Sequence, residues 1–283
     1  MLNKPMYINI KGNLLDLTVP KVMGILNITP DSFYKGSRFT TDNEILTAAR
    51  TMINDGADIL DIGGYSSRPG ATNVSVKEEK SRVLDAIALV RKNFPASVIS
   101  VDTFRSEIAR EAVQGCGADM INDISGYEFD DKMFGTLVDL KVPYILMHMK
   151  GEPGIMQHKP HYEDIVSEII TWIGERAVKL QNEGVKDIII DPGFGFGKTI
   201  DHNFELLNRL EDFSIIDLPL LAGLSRKSLI WKTLEISPDD SLTGTSVLNT
   251  IALIKGASLL RVHDVKEAVQ TIRLVEKLNI WDN

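Results

Sequence analysis

Four stretches of the chain share one pattern of apolar and polar positions: GADILDIGG (56–64), GADMINDIS (117–125), GVKDIIIDPG (184–193) and GASLLRVHD (256–264). Each opens on a glycine able to end a helix. An apolar run follows, then a polar close at Asp61, at Asn122 and Asp123, at Asp191, or at Arg261 and His263. A strand buried on both faces reads as such a run. With four similar runs, the strand candidates are 22–28, 59–62, 98–101, 120–124, 143–147, 188–190, 220–224 and 259–262. Segments of helical period lie between them. Thr41 with Glu44, and Ser75 with Glu78, form capping-box patterns. Ile165, Ile169, Ile170, Ile173, Ala177 and Leu180 share one helical face, as do Val265, Ala268, Val269, Ile272 and Val275. Eight strands alternating with helices predict an α/β fold, the (β/α)8 TIM barrel. An open doubly wound sheet is the alternative. Residues 6–19 predict two short strands around 11–13, so residues 1–20 form an N-terminal β-hairpin segment. No linker divides the chain, and one domain over 1–283 is expected.

Composition narrows the function classes. The 283 residues are 43% hydrophobic and 25% charged, enough to bury a sizeable core. A formal net charge of −8 argues against a nucleic-acid partner or an anionic membrane surface. It leaves an anionic small ligand possible, because such a ligand feels local charge. Cys116 is the only cysteine, so no disulfide within the chain can form. It is expected to be a small apolar filler beside Gly117. The first residues lack a signal-peptide apolar region, and no run approaches about 18 apolar residues. A soluble cytoplasmic protein is expected.

In a barrel all strand ends converge on one face, where active sites form. The first strand closes on Asn27 and runs into Thr29–Phe33 (ITPDSF, 28–33); the second closes on Asp61 and the loop 63–71. The others bring Asp102, Asn122 with Asp123, His148, Asp191, the run Ser225, Arg226 and Lys227, and Arg261 with His263 and Asp264. Two chemical neighbourhoods stand out. Asp102, Asn122, Asp191 and Lys227 combine acceptors with donors and could outline a flat heterocycle such as a guanine-like or pterin edge. Arg261, His263 and Asn27 come from strands adjacent in a closed barrel. A guanidinium fork beside a histidine suits an anion, above all phosphate.

Plainer readings compete. Asp264, with Glu267 three residues on, reads as an N-cap. Asp123 reads as a brace for the loop after its strand, and Asp191 before Pro192 and Gly193 could be a turn residue. Gly197, Lys198 and Thr199 resemble the end of a phosphate-binding P-loop, but the required earlier glycine position holds Pro192. Gly193, Phe194 and Gly195 make no dinucleotide fingerprint, since Lys198 occupies the third glycine position. His158 and His161 are too isolated for zinc and read as loop histidines. Lys227 could form a Schiff base, yet its neighbours Ser225 and Arg226, at an expected helix start, read better as anion binding.

Seven segments in order carry a resemblance: MGILNITPDSF (23–33), DIGGYSSRPGA (61–71), VDTFR (101–105), NDISG (122–126), DPGFGFGKT (191–199), LSRKS (224–228) and RVHDV (261–265). The chain resembles the dihydropteroate synthase family from about Lys21 to Leu278. That resemblance implies the TIM barrel and a Mg2+-dependent reaction. In it, 6-hydroxymethyl-7,8-dihydropterin diphosphate and p-aminobenzoate give 7,8-dihydropteroate and pyrophosphate. It implies that Asp102, Asn122, Asp191 and Lys227 hold the pterin, with Met147 and Phe196 against it. It implies that Asn27, Arg261 and His263 receive the diphosphate, Asn27 lying near Mg2+. Phe33, Ser67, Arg68 and Pro69 would close over p-aminobenzoate, and Ser225 would meet its carboxylate. The catalytic set implied is Asp102, Lys227, Arg261 and His263, and the family implies a homodimer. Two departures stand in the second loop. Tyr65 replaces a common Glu, and Ser67 replaces Thr while keeping the hydroxyl. The alternatives are a pterin-dependent corrinoid methyltransferase barrel, a non-catalytic pterin-binding module and a Schiff-base aldolase.

Overall fold

The computed structural model describes residues 6–28, 41–65, 74–151 and 160–278. The chain opens with an antiparallel hairpin, β1 (Tyr7–Ile10) and β2 (Asn13–Asp16). Strands and helices then alternate. They run β3 (Lys21–Asn27), α1 (Asp42–Asp55), β4 (Ile59–Gly63), α2 (Val76–Asn93), β5 (Val98–Asp102), α3 (Ser106–Gln114) and β6 (Met120–Asp123). Next come α4 (Met133–Leu140), β7 (Tyr144–Met147), α5 (Ile165–Asn182), β8 (Ile188–Asp191), α6 (Ile200–Asn208) and β9 (Leu221–Ala222). The chain ends with α7 (Ser228–Thr233), α8 (Leu242–Ile254), β10 (Leu259–Val262) and α9 (Val265–Glu276).

Strands β3 to β10 form one parallel sheet in the order β8-β7-β6-β5-β4-β3-β10-β9. Its two edges meet. Ile190 bridges Leu220 in parallel, and the Ile190 N–H donates to the Pro219 carbonyl at 2.8 Å. The sheet is therefore a closed barrel, and the doubly wound alternative falls. The repeated glycines do what their pattern predicts. Gly56, Gly117, Gly184 and Gly256 have φ of 100°, 87°, 88° and 97°, left-handed values that turn each preceding helix into its next strand.

Two apolar layers position the site. Outside, strand residues such as Leu60, Val101, Ile121, Leu146 and Ile190 pack against Val83, Ile87, Ile169 and Ile173 of the helices. Inside, Met23, Ile59, Met120, Ile145, Ile189, Leu221 and Leu259 form a plug with Ile8, Ile10 and Leu17 of the hairpin segment. Each large apolar side chain buried there stabilises by about 1.5–3 kcal/mol. The hairpin thus stoppers the N-terminal end of the barrel, and polar groups collect at the other end.

Local signals mostly hold. Thr41 and Glu44 complete a capping box, with bonds of 3.3 and 3.0 Å. The Ser75 hydroxyl caps α2 through the Glu78 N–H at 3.2 Å, but the Glu78 carboxylate pairs with Arg82 instead of returning. A full ion pair one turn on outcompetes the second half of the box. Strands β4, β5 and β8 run one residue past their expected ends, which places Asp102 and Asp191 in the ladder itself. Strand β9 is shorter than expected.

Candidate active site at the barrel mouth

The ladder sets the site residues side by side. Asn27 pairs with Gly63, Gly63 with Asp102, and Asp102 with Asn122; across the barrel, Met147 pairs with Asp191. Gly63 keeps the row open, since a Cβ there would stand 3.2 Å from the Asp102 Cβ.

Arg261 is the centre of charge. Its Nε donates to Asp61 Oδ2 at 2.6 Å, and its Nη2 donates to Asp102 Oδ2 at 2.6 Å. Asn122 Nδ2 donates to the same Asp61 oxygen at 2.9 Å. The two neighbourhoods expected from sequence are therefore one network. Burial opposes the charge on Arg261, but Asp61 and Asp102 outweigh it and hold its pKa above the ordinary value. Burial raises the Asp102 pKa; Arg261 opposes this, while the charges of Asp61, Glu79 and Asp123 add to it.

Asp191 is both turn residue and site residue. Its Oδ1 accepts from the Gly193 N–H at 2.7 Å. Gly193 has φ of 73°, and a Cβ there would fall 1.9 Å from the His148 carbonyl oxygen, so only glycine fits. Burial raises the Asp191 pKa, and Lys227 is the strongest opposing charge. Lys227 Nζ donates to the Phe194 carbonyl and lies 4.8 Å from the centre of the Phe196 ring. Burial pulls its pKa down to about 8, with Asp191 resisting. Beside this polar row, Ile124, Met147 and Met149 form a buried apolar patch with Phe104 and Phe196 against it. A flat ring with polar edges would find a wall for its face and partners for its rim.

The β9–α7 and β10–α9 loops lock together. The His263 backbone N–H donates to Ser225 Oγ at 3.2 Å, and the same hydroxyl shares a hydrogen bond with His263 Nδ1 at 3.0 Å. Burial, then Arg261, Arg226 and Lys227, lower the His263 pKa to about 3. The ring is neutral near pH 7. Two expectations are corrected here. Helix α7 starts only at Ser228, so Ser225 and Arg226 precede it, and the Arg226 guanidinium is engaged within the chain. Its Nε and Nη2 each donate to Asp264 at 2.8 Å, and its Nη1 donates to the carbonyls of Pro238 and Asp239. Asp264 stands at the N-cap position of α9 but makes no side-chain cap bond. A bidentate charged fork binds it more strongly than a backbone N–H would.

Two site residues escaped the sequence reading. Asp61 was seen only as a strand closer. Lys198 was seen only in a failed P-loop pattern, yet it is 2% exposed. Its Nζ donates to the carbonyls of Gly193 at 2.9 Å and Phe196 at 3.0 Å, and to His148 Nδ1 at 3.1 Å. Burial, with Lys198, Lys150 and Arg176 nearby, drives the His148 pKa far down, so its ring is neutral. Burial pushes the Lys198 pKa well below its ordinary value, and its amine pins the loop that presents Phe194 and Phe196. Asp123 is a brace, as expected: it accepts from the Ser125 N–H and hydroxyl, the Tyr127 N–H and the Tyr144 hydroxyl. Cys116 is half-buried against the outer core, as a filler should be. Tyr65 stacks edge-on against Phe104 with centroids 5.1 Å apart, under the Arg105 guanidinium. Phe33, Ser67, Arg68, Pro69 and His158 lie outside the described residues.

A closed parallel barrel whose C-terminal mouth offers a polar rim, an apolar wall and an arginine fork defines a ring-binding barrel. The family model described as "Pterin binding enzyme" matches residues 23–263. The chain is 42% identical over 268 residues to the dihydropteroate synthase of Escherichia coli (strain K12), covering 94% of each. It is 39% identical over 259 residues to that of Bacillus subtilis (strain 168), covering 91% of this chain and 88% of the relative. The Yersinia pestis dihydropteroate synthase, solved with a sulfonamide drug complex, superposes with a TM-score of 0.92 at 38% identity, over 97% of this chain and 99% of that one. The Xanthomonas albilineans dihydropteroate synthase with 4-aminobenzoic acid gives 0.88 at 39% identity, over 98% and 99%. The chain belongs to the dihydropteroate synthase family, a family of transferases. These likenesses favour the synthase over the corrinoid methyltransferase alternative. Among the described residues, no helix is long and apolar enough to cross a membrane.

Proposed function

We propose that the protein condenses 6-hydroxymethyl-7,8-dihydropterin diphosphate with p-aminobenzoate to 7,8-dihydropteroate and pyrophosphate. The observation that carries this reading is the joint hold of Asp61 on Arg261 and Asn122, which sets an anion fork beside a heterocycle rim. Asp102, Asn122, Asp191 and Lys227 bind the pterin edge, with Met147 and Phe196 against its face. Arg261, His263 and Asn27 receive the diphosphate. Phe33, Ser67, Arg68 and Pro69 cover p-aminobenzoate. Ser225 contributes through the His263 ring that its hydroxyl orients.

The chemistry follows from these placements. The bond between the pterin methylene carbon and the diphosphate oxygen breaks, and its electron pair leaves with pyrophosphate. Arg261 and His263 spread the charge that develops on the leaving oxygens. The methylene cation is delocalised into the ring and favoured by the Asp102 carboxylate. The arylamine nitrogen then attacks that carbon and loses a proton. No protein nucleophile is required.

Magnesium fits the residues present as a partner of the substrate. The half-buried side chain of Asn27, at the end of β3, has no hydrogen-bond partner among the described residues, and its amide oxygen is a hard donor. Among those residues no group of three His, Cys, Asp or Glu could hold a metal. Asn27 would therefore give one ligand, and water and diphosphate the others, as Mg2+ prefers. When bound, the ion supplies positive charge to the leaving group. We also propose a homodimer; exposed Val247, Ile254, Leu274 and Leu278 on or beside α8 and α9 support it.

The test is pyrophosphate release from the pterin diphosphate. Release should depend on p-aminobenzoate and yield dihydropteroate by mass. Methyl transfer without pyrophosphate, or pterin binding without turnover, would refute the reading.

A further inference from the structure

One buried oxygen joins the two halves of the mouth. Asp61 Oδ2 accepts from Arg261 Nε at 2.6 Å and from Asn122 Nδ2 at 2.9 Å, partners 200 and 61 residues away in sequence. Asp61 is fully buried on β4, and its Oδ1 has no hydrogen-bond partner among the described residues. It cannot touch a substrate, yet it touches two residues that would.

What it does to them follows from donor and acceptor rules. A carboxylate only accepts. Asn122 must therefore turn its NH2 toward Asp61, which leaves its Oδ1 as the atom to offer a ligand. An oxygen there selects a ring N–H, whereas a flipped amide would select a ring acceptor. Arg261, held at Nε by Asp61 and at Nη2 by Asp102, keeps three N–H groups without partners among the described residues. With Nε fixed, the planar fork has one orientation in which to meet an anion.

We propose that Asp61 is a positioning residue: it sets the hydrogen-bond polarity that Asn122 shows the heterocycle and aims the Arg261 fork at the diphosphate. This rests on the synthase reading above. It differs from the role of Asp123, a strand-end carboxylate of similar burial that serves its own loop.

The test compares Asp61→Asn with Asp123→Asn in the full chain. Asp61→Asn should lower kcat/KM for the pterin diphosphate about 10- to 100-fold, the range for hydrogen bonds to charged groups. The KM for p-aminobenzoate should stay within about twofold. Calorimetry should show weaker binding of both pterin-6-carboxylate and inorganic pyrophosphate. In an Arg261→Lys background, Asp61→Asn should no longer change pyrophosphate affinity. Asp123→Asn should lower the melting temperature and leave the kinetic constants of the folded enzyme near wild type.

Wild-type constants and affinities in folded Asp61→Asn overturn the proposal. So does a loss that spreads equally to p-aminobenzoate or adds fully to Arg261→Lys. A second measurement needs no variant. In a crystal of the wild-type chain with pyrophosphate and pterin-6-carboxylate, Asp61 Oδ2 should still hold both Arg261 Nε and Asn122 Nδ2; departure of either overturns the proposal. If the wild-type chain releases no pyrophosphate, the synthase reading fails on its own, and the binding measurements still decide the role of Asp61.

Discussion

Replacing Asp264 with serine separates a helix cap from an ion-pair anchor. At an N-cap, serine serves about as well as aspartate, so the change would cost a few tenths of a kcal/mol. The structure points elsewhere. Two 2.8 Å bonds tie the Asp264 carboxylate to Arg226, with side-chain exposures of 13% and 5%. Arg226 holds a left-handed φ of 54° between Ser225 and Lys227, so this pair fixes the loop that carries both. Removing one partner of a buried pair costs about 3–5 kcal/mol. The lower half of that range applies, because the bonds from Arg226 to the Pro238 and Asp239 carbonyls survive. For a chain of this size about 2 °C is lost per kcal/mol, so Asp264→Ser should melt about 6–8 °C below wild type. Differential scanning calorimetry measures it, with urea midpoints as a check. A fall below about 2 °C would restore the capping role and refute the anchor.

Three further outcomes can be checked directly. Lys227, drawn down to about 8 by burial, loses its charge as pH rises through that value. kcat/KM for the pterin diphosphate should fall over that range, and Lys227→Arg should move the limb above about pH 10; an unmoved limb assigns it to another group. Lys198→Met should lower urea-measured stability by about 1–3 kcal/mol and weaken pterin binding, because the Gly193 and Phe196 carbonyls lose their buried donor; an unchanged midpoint would show that the loop needs no pin. Arg261→Ala should cut kcat at least about 100-fold with the circular dichroism spectrum intact, and wild-type turnover in it would remove Arg261 from the anion corner.

The periodic parts of the fold were legible because they depend on single residues and their near neighbours. A glycine ending a helix, an apolar run and a polar close need only local rules; four barrel strands follow that pattern, and the other four were found as apolar runs between helical segments. Barrel closure also made the convergence of Asp102, Asn122, Asp191 and Arg261 predictable. What stayed hidden was pairing. Asp264 reads as a cap until the fold brings Arg226 to it from 38 residues away. Lys198 looks like a surface lysine until three acceptors close around it. No local pattern could tell that Arg261 shares its fork between Asp61 and Asp102.

Buried carboxylates in this chain sort by what holds them. Both oxygens of Asp123 are committed, one to Ser125 and the other to Tyr127 and Tyr144. Asp119 is likewise spent, on the Ile99 N–H, Arg91 and Lys11. Asp123 has no lone pair left for a ligand, and Asp119 sits beside Lys11 of the hairpin, away from the mouth. Asp102 differs: among the described residues its side chain has a hydrogen bond to Arg261 alone, and it is 19% exposed at the mouth. A raised pKa fits that under-supply of donors. An incoming ring N–H would complete the coordination that the protein leaves open, and would favour the ionised form needed beside a developing cation. Asp61 lies between the two kinds, with one oxygen shared by two site residues and the other without a partner among the described residues. All four are aspartates on or beside barrel strands, so residue type alone does not divide them. Donor accounting does, and it assigns binding to Asp102, alignment to Asp61 and bracing to Asp119 and Asp123.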